Sequence, residues 1–382
     1  MTRGALPRFI GLYAALYAAF GVESPFFPAL LGSRGLGPEA IGVVLAMGTA
    51  ARLLAGPLAG RLADRVGAPR GVLAACTGAA AVIGLGYLGA DGLWPLVLVS
   101  VLHAASLAPI TPLSDTLALA AASPAVGRGF PYGWVRGAGS AAFIVGASLS
   151  GQAVGALGLG VVIWLNAALL AVAVLFVAGV PRPSPSSASA VPGGNPGFAA
   201  LLRLPGFVPM LAVAALVQGS HALHYGFAVI RWSEAGIGPE AAGLLWSEAV
   251  LAEVAVFVVL GPPLLDRLGP ARTSALCAGA GVLRWAVMTQ TAWWPAMALV
   301  QPLHGLTFAL QHLACMRLIQ LAVPPHLAAT AQAVYGTVAV AAASAVLTLL
   351  SGPLYAGLGG AGFWVMAALC AAAAPLSLRL GR

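Results

Sequence analysis

Gly35-Leu36-Gly37-Pro38-Glu39-Ala40-Ile41-Gly42 returns 201 residues later as Gly236-Ile237-Gly238-Pro239-Glu240-Ala241-Ala242-Gly243. Leu62-Ala63-Asp64-Arg65-Val66-Gly67-Ala68-Pro69-Arg70 returns as Leu264-Leu265-Asp266-Arg267-Leu268-Gly269-Pro270-Ala271-Arg272, at an offset of 202. The segments between the paired motifs therefore match in length, and the chain is a duplicated unit. Each copy falls at the same point of its half, which implies a parallel repeat about an axis along the membrane normal. Such duplication in a very apolar chain is a signature of secondary transporters.

Of the 382 residues, 60% are hydrophobic and 7% charged; a soluble domain carries roughly 25% charged residues. The mean hydropathy of +0.96 agrees. At about 20 apolar residues per crossing, the chain accommodates about twelve helices joined by short loops. The spans expected are 8–31, 38–61, 70–90, 93–121, 130–154 and 158–180, then 206–231, 238–264, 272–292, 294–321, 327–356 and 361–378. The N-terminal apolar run could pass for a signal peptide. It carries Glu23 and has a counterpart near residues 211–230, so it reads as a retained first span.

All 18 basic residues are Arg. Arg3, Arg8, Arg61, Arg65, Arg70, Arg128, Arg182, Arg203, Arg267, Arg272, Arg379 and Arg382 fall in alternate gaps between apolar runs, whereas the remaining gaps hold Arg34 and Arg231. The excess marks the cytoplasmic face of a bacterial-type cytoplasmic (inner) membrane and puts both termini in the cytoplasm. The net charge of +8 thus reads as a topology signal, with no nucleic-acid partner implied. Pro, Ser and Gly crowd positions 181–197. The expected organisation is an N-terminal six-helix bundle over 1–180, a cytoplasmic linker over 181–205 and a C-terminal six-helix bundle over 206–382. Cys76, Cys277, Cys315 and Cys370 lie scattered in apolar runs, with neither disulfide nor metal-site spacing.

Gly60-Arg61-Leu62-Ala63-Asp64-Arg65-Val66-Gly67, with Arg70, resembles the signature loop of the major facilitator superfamily. Tyr132-Gly133-Trp134-Val135-Arg136, Gln218-Gly219-Ser220-His221-Ala222, Arg284-Trp285, Leu303-His304-Gly305 and Gln332-Ala333-Val334-Tyr335 are similar to the phenylpropionate permease family, a branch near the lactose permease. The resemblance implies an all-α membrane protein whose two six-helix bundles are related by pseudo-two-fold symmetry. It also implies that Arg65 holds a cytoplasmic gate beside Asp64, with Asp266 and Arg267 as the second copy. Arg136 and Arg284 match positions that contact substrate or support coupling.

Ionisable groups in mid-span are costly in lipid and default to functional candidates. Arg136, Ser140 and Phe143 share one face of the fifth span. A guanidinium in a dry cavity suits a carboxylate, because its planar fork donates two parallel hydrogen bonds. Each Arg could instead neutralise a buried acid. Glu23 lies beside Tyr13, Tyr17, Phe20, Ser24 and Phe27, surroundings that suit a proton carrier. Asp115, beyond Pro109 and Pro112, is a second candidate, and Glu253, sharing a face with Trp246, a third. Glu23 and Asp115 could equally be fixed partners of Arg52 or Arg136. Glu248 is read as packing between helices or near the mouth. In the tenth span Gln301, His304, Phe308, Gln311 and His312 form an expected polar stripe. His304 matches a proton-relay His of the resembled branch, but Thr307 stands where an acid is expected. Gln218, His221 and Tyr225 align on the seventh span, and neither His221 nor His224 has neighbours that suggest metal.

Catalytic and nucleotide-binding motifs are missing from the sequence, and no cofactor is expected. The reading is a monomeric transporter whose partners are a proton, a small molecule and the lipid bilayer. Arg136 and Arg284, with Ser140, Trp246, Tyr225, Gln218, His221, His304 and Gln311, are expected to bind a small aromatic carboxylate carried inward. Glu23, Asp115 or Glu253 is expected to carry the proton. A sugar or nucleoside symporter, a drug–proton antiporter and a non-transporting sensor are the alternatives.

Overall fold

The computed structural model describes residues 5–122, 130–181 and 197–380. Its regular elements are all helical, with no strand among the described residues. The first half supplies α1 (Ala5–Ser33), α2 (Pro38–Val66), α3 (Pro69–Gly84), α4 (Leu93–Leu107), α5 (Ile110–Ala122), α6 (Tyr132–Leu157) and α7 (Val161–Gly179). The short α8 (Gly197–Leu202) precedes α9 (Phe207–Gly219), α10 (Ala222–Glu234), α11 (Pro239–Ala255) and α12 (Gly261–Gln290). Then come α13 (Trp294–Val300), α14 (Gln311–Ala322), α15 (Ala328–Val334), α16 (Ala343–Leu358) and α17 (Phe363–Ser377). Residues 182–196 of the expected linker lie outside the described residues. Its far end is helical, as α8, because Ala199-Ala200-Leu201-Leu202 holds neither Pro nor Gly and favours helix.

Nine helical stretches among the described residues are long and apolar enough to cross a bilayer. Two of them, Pro239–Gln290 with 52 residues and Pro325–Ser377 with 53, exceed what one crossing needs. Gly269, at φ 71°, turns the chain inside the first of these. Its counterpart Gly67, at φ 62°, ends α2, and both conformations favour glycine over any side chain. The repeated Gly-Pro-Glu places Pro38 and Pro239 at the starts of α2 and α11, with Glu39 and Glu240 in the first turns. Proline has no amide to leave unpaired there, and the acid complements the positive end of the helix.

The offset between the copies rises from 201 at Gly42/Gly243 to 202 at Leu62/Leu264. A π-helical turn, Val256–Leu260, lies in that interval and accommodates one extra residue without ending the helix. Two more π segments, Gly305–Leu310 and Tyr335–Ala342, also fall in the second half.

The chain groups into two compact units, one drawn mostly from each half. The first also takes in Ala242–Ser247, and the second also takes in Gly37–Ala46. In the first unit Phe9, Leu12, Leu16, Leu73, Ile110 and Leu170 belong to one buried core. Small residues let backbones meet: Gly21 lies against Phe143 and Ala147, and Gly146 against Ala18. Such close packing replaces the hydrophobic drive that lipid does not supply. Gly243 meets Ala147 and Gly151 in the first unit, and Gly42 meets Gly352 in the second. Gly42 and Gly243 are one position of the repeat, and Gly151 and Gly352 are also 201 apart. The duplicated motif therefore makes the same glycine contact twice. Arg8 and Arg70 donate to the carbonyls of Gly179 and Val180, each at 2.8 Å, and satisfy the open C-terminal end of α7.

Two expected polar faces are rearranged. The seventh span is broken at Ser220-His221, between α9 and α10. Gln218 turns to Tyr335 (2.9 Å), while His221 turns to Thr307 (2.9 Å). In the tenth span the π segment Gly305–Leu310 divides the stripe. His304 faces Arg284, whereas His312 faces Tyr335 and Phe257.

Candidate functional site

In unit two the side chain of Arg284, on α12, is fully buried. Its Nη2 donates to Gln301 Oε1 at 2.7 Å, and its guanidinium lies 4.6 Å from the Trp285 ring centre. His304 Nδ1 lies 3.2 Å from Nη1, and His224 Nε2 lies 3.4 Å from Nη2. A guanidinium only donates, so both ring nitrogens must accept. His304 therefore carries its hydrogen on Nε2, the atom 3.5 Å from Glu253 Oε2. Arg284, His304 and Glu253 form one chain, in which the carboxylate beside His304 comes from Glu253 on α11 and not from position 307.

His221 closes the cluster. Its Nδ1 donates to the Gln218 carbonyl at 2.9 Å, and its ring meets Tyr225, Trp285 and His304 at 5.1–5.7 Å between centroids. Trp285 Nε1 donates to Ser220 Oγ at 2.9 Å, which fixes the indole that carries the guanidinium. Among the described residues no carboxylate lies within 4.0 Å of Arg284. Arg284 Nε and Gln301 Nε2 are buried donors without a partner. A desolvated cation without a counter-charge costs several kcal/mol, and an anion placed beside Arg284 would offset that cost.

Unit one holds two clusters. In the first, Tyr13 and Tyr132 both donate to Asp115 Oδ1, the latter at 2.6 Å. Arg136 donates to Tyr17 Oη and lies 3.7 Å from the same Asp115 oxygen. Arg136 and Asp115 are 41% and 30% exposed, so this pair is already neutralised and reachable, unlike Arg284. In the second, Glu23 accepts from Asn166 Nδ2 at 3.0 Å and lies 3.6 Å from His103 Nδ1.

Gln311 reaches Ser274 and Cys315 at 3.3 Å and belongs to the packing of α12 and α14. Ser140 is half-buried on α6, and Trp246 is buried. Trp134 is 68% exposed and joins none of the three clusters. Asp64, Arg65 and Arg267 lie exposed at helix ends, and Asp266 sits 3.9 Å from Arg317, both exposed. The sequence reading missed His103, Asn166 and the partner role of Tyr132. His103 carried one signal, since it lies 201 positions before His304. Among the described residues no group of His, Cys, Asp and Glu could hold a metal ion.

Residues 7–366 match the model of the MFS_1 like family. Over 363 residues the chain is 35% identical to an Escherichia coli (strain K12) protein named as a probable 3-phenylpropionic acid transporter, covering 93% of this chain and 92% of that one. It is 24% identical over 331 residues to an uncharacterized transporter of Bacillus subtilis (strain 168), covering 86% and 81%. The crystal structure of the nucleoside transporter NupG superposes with a TM-score of 0.81 at 16% identity, covering 99% of this chain and 98% of that one. That of a D-xylose–proton symporter gives 0.70 at 14%, covering 98% and 96%. Likeness at this identity shows the fold, which is that of the major facilitator transporters. The chain belongs to the MFS_1 like family and is a multi-pass membrane transporter, not an enzyme.

Proposed function

We propose that the protein carries a small aromatic carboxylate such as 3-phenylpropionate into the cell together with a proton, by alternating access. In this reading it is a monomer of two six-helix bundles, 1–180 and 206–382, joined by the 181–205 linker. Both termini lie on the cytoplasmic side of the inner membrane. The observation that carries the cargo class is Arg284, a fully buried guanidinium with no carboxylate within 4.0 Å among the described residues and with partnerless donors at its Nε and Gln301 Nε2. A substrate carboxylate would supply the missing charge, accepting from Arg284 and Gln301, while Tyr225 and Phe308 offer aromatic contacts. The chain from Arg284 through His304 to Glu253 would let Glu253 sense the charge at Arg284. In unit one, Arg136 and Ser140 contribute to substrate binding, and Asp115 holds Arg136 in place. Asp64–Arg65 and Asp266–Arg267 act at the cytoplasmic gate.

A sugar or nucleoside cargo would leave the Arg284 charge uncompensated, which favours the carboxylate. The test is thermal stabilisation of the purified protein by 3-phenylpropionate, nucleosides and sugars, beside uptake into vesicles. We expect stabilisation by the carboxylate alone. Arg284→Gln should lower its affinity by about 10–100-fold, the weight of one or two charge-assisted hydrogen bonds. Stabilisation by a nucleoside or sugar but not by the carboxylate would overturn the reading.

A further inference from the structure

His103 and His304 are 201 positions apart, the repeat offset, and each sits against a carboxylate of its own unit. At the same offset Glu23 corresponds to His224, and Glu253 to Arg52. The histidine has thus stayed in place between the copies while the acid has changed helix. The guanidinium has not been duplicated. Arg284 corresponds to Ile83, or to Val82 at an offset of 202, and both are apolar. Unit one therefore contains the acid–imidazole half of the arrangement without the part suited to an anion.

The surroundings fit a proton. Asn166 Nδ2 donates to Glu23 Oε2 and to the Ala19 carbonyl, both at 3.0 Å, and so fixes the carboxylate. The other oxygen, Oε1, faces His103 Nδ1 at 3.6 Å. The His103 side chain is only 3% exposed, and its Nε2 has no hydrogen-bond partner. Glu23, Gly84, Tyr87, His103 and Asn166 line one small cavity. A methyl group at Gly84 would come within 3.3 Å of Nε2, so glycine keeps that side of the ring open. Tyr87 packs edge-on to His103 at 5.7 Å, and the charge of Arg52 on α2 acts on both. On the α7 side the pair meets the uncharged Asn166. The pair is thus a carboxylate and an imidazole whose outer nitrogen meets an unfilled space. A buried polar atom left so is stabilised once a water enters or a proton arrives.

We propose that this cavity is a proton-binding site, in which Glu23 and His103 together take up the transported proton while Asn166 holds the carboxylate. The inference rests on the reading of the protein as a proton-coupled carboxylate carrier. The balance is simple: the substrate brings one negative charge and the pair brings one proton, so the loaded carrier gains no net charge. His103 acts on Glu23 by sharing that proton across the gap between Nδ1 and Oε1, with a water on Nε2.

Two measurements test it. The first needs no substrate: pH-difference infrared spectra of the purified protein should contain a carboxylic-acid band that disappears in Glu23→Gln and shifts in His103→Gln. A wild-type band unchanged in both variants would overturn the site. The second uses vesicles and labelled 3-phenylpropionate, corrected for protein-free vesicles. One coupled proton supports about a tenfold accumulation per pH unit of gradient. Each variant should lose most of that accumulation, while exchange of labelled for unlabelled substrate falls far less. Wild-type accumulation in both variants, or accumulation that follows a sodium gradient at constant pH, would also overturn it. If wild-type protein neither binds nor exchanges 3-phenylpropionate, the cargo reading fails, and the infrared result still decides the proton site.

Discussion

Asp115 shows how one side chain can hold several others. It accepts from Tyr13 and Tyr132 and pairs with Arg136 at 3.7 Å, so two hydroxyls and a guanidinium from α1 and α6 converge on a single oxygen of α5. Asp115→Leu would leave two hydroxyls without their acceptor and a guanidinium without its counter-charge. The expected loss is about 1–3 kcal/mol, toward the lower end because the ion pair is partly exposed. Thermal melting in detergent measures it, and an unchanged midpoint would contradict the network. Little of this was legible beforehand. Tyr13, Asp115 and Arg136 stood out singly as polar groups in apolar runs, but Asp115 read as a proton carrier as readily as a fixed partner. Glu253 and His304 are similar: each was a candidate by type, while their contact joins α11 to the start of the π segment Gly305–Leu310 across 51 positions of sequence, from 253 to 304.

Elements obey more local rules. The repeated Gly-Pro-Glu motif starts a helix in both halves, and Gly67 and Gly269, after the Asp-Arg motif, both take a positive φ. The last glycine of the first motif does something that pattern does not reveal, which is to bring two backbones together. A Cβ on Gly42 would come within 2.9 Å of Gly352 Cα, and one on Gly243 within 2.7 Å of the Ala147 oxygen. Since the neighbours are backbone, neither contact can relax cheaply. Gly42→Ala and Gly243→Ala should each destabilise the protein by about 1–3 kcal/mol, the usual cost of overpacking. Gly60→Ala and Gly137→Ala, which meet nothing within 4 Å, serve as controls. Equal melting of all four variants would refute the argument. The π turns are the other surprise at this scale. An extra residue rotates everything beyond it by about 100°, so the single polar stripe expected from Gln301 to His312 became two separate sets of contacts.

For the molecule as a whole, Arg distribution is the strongest guide to orientation. The described cytoplasmic-side candidates Arg8 and Arg70 also cap α7, so they serve the fold as well as topology. A fluorescent-protein fusion at the C-terminus should fluoresce, and an alkaline-phosphatase fusion at the same place should stay inactive. The reverse pattern would invert the assignment. Apolar length, duplication and charge asymmetry are properties summed along the chain, and they were sufficient by themselves to establish helices, repeat and membrane class. What the tertiary structure decided was partnership. Among the described residues it left no carboxylate on Arg284, set Glu253 on His304, and closed Glu23, His103 and Asn166 around one cavity. Those outcomes depend on the rotation of each helix about its own axis and on which glycines let neighbours approach. Neither quantity is written in the spacing of residues along a single strand of sequence.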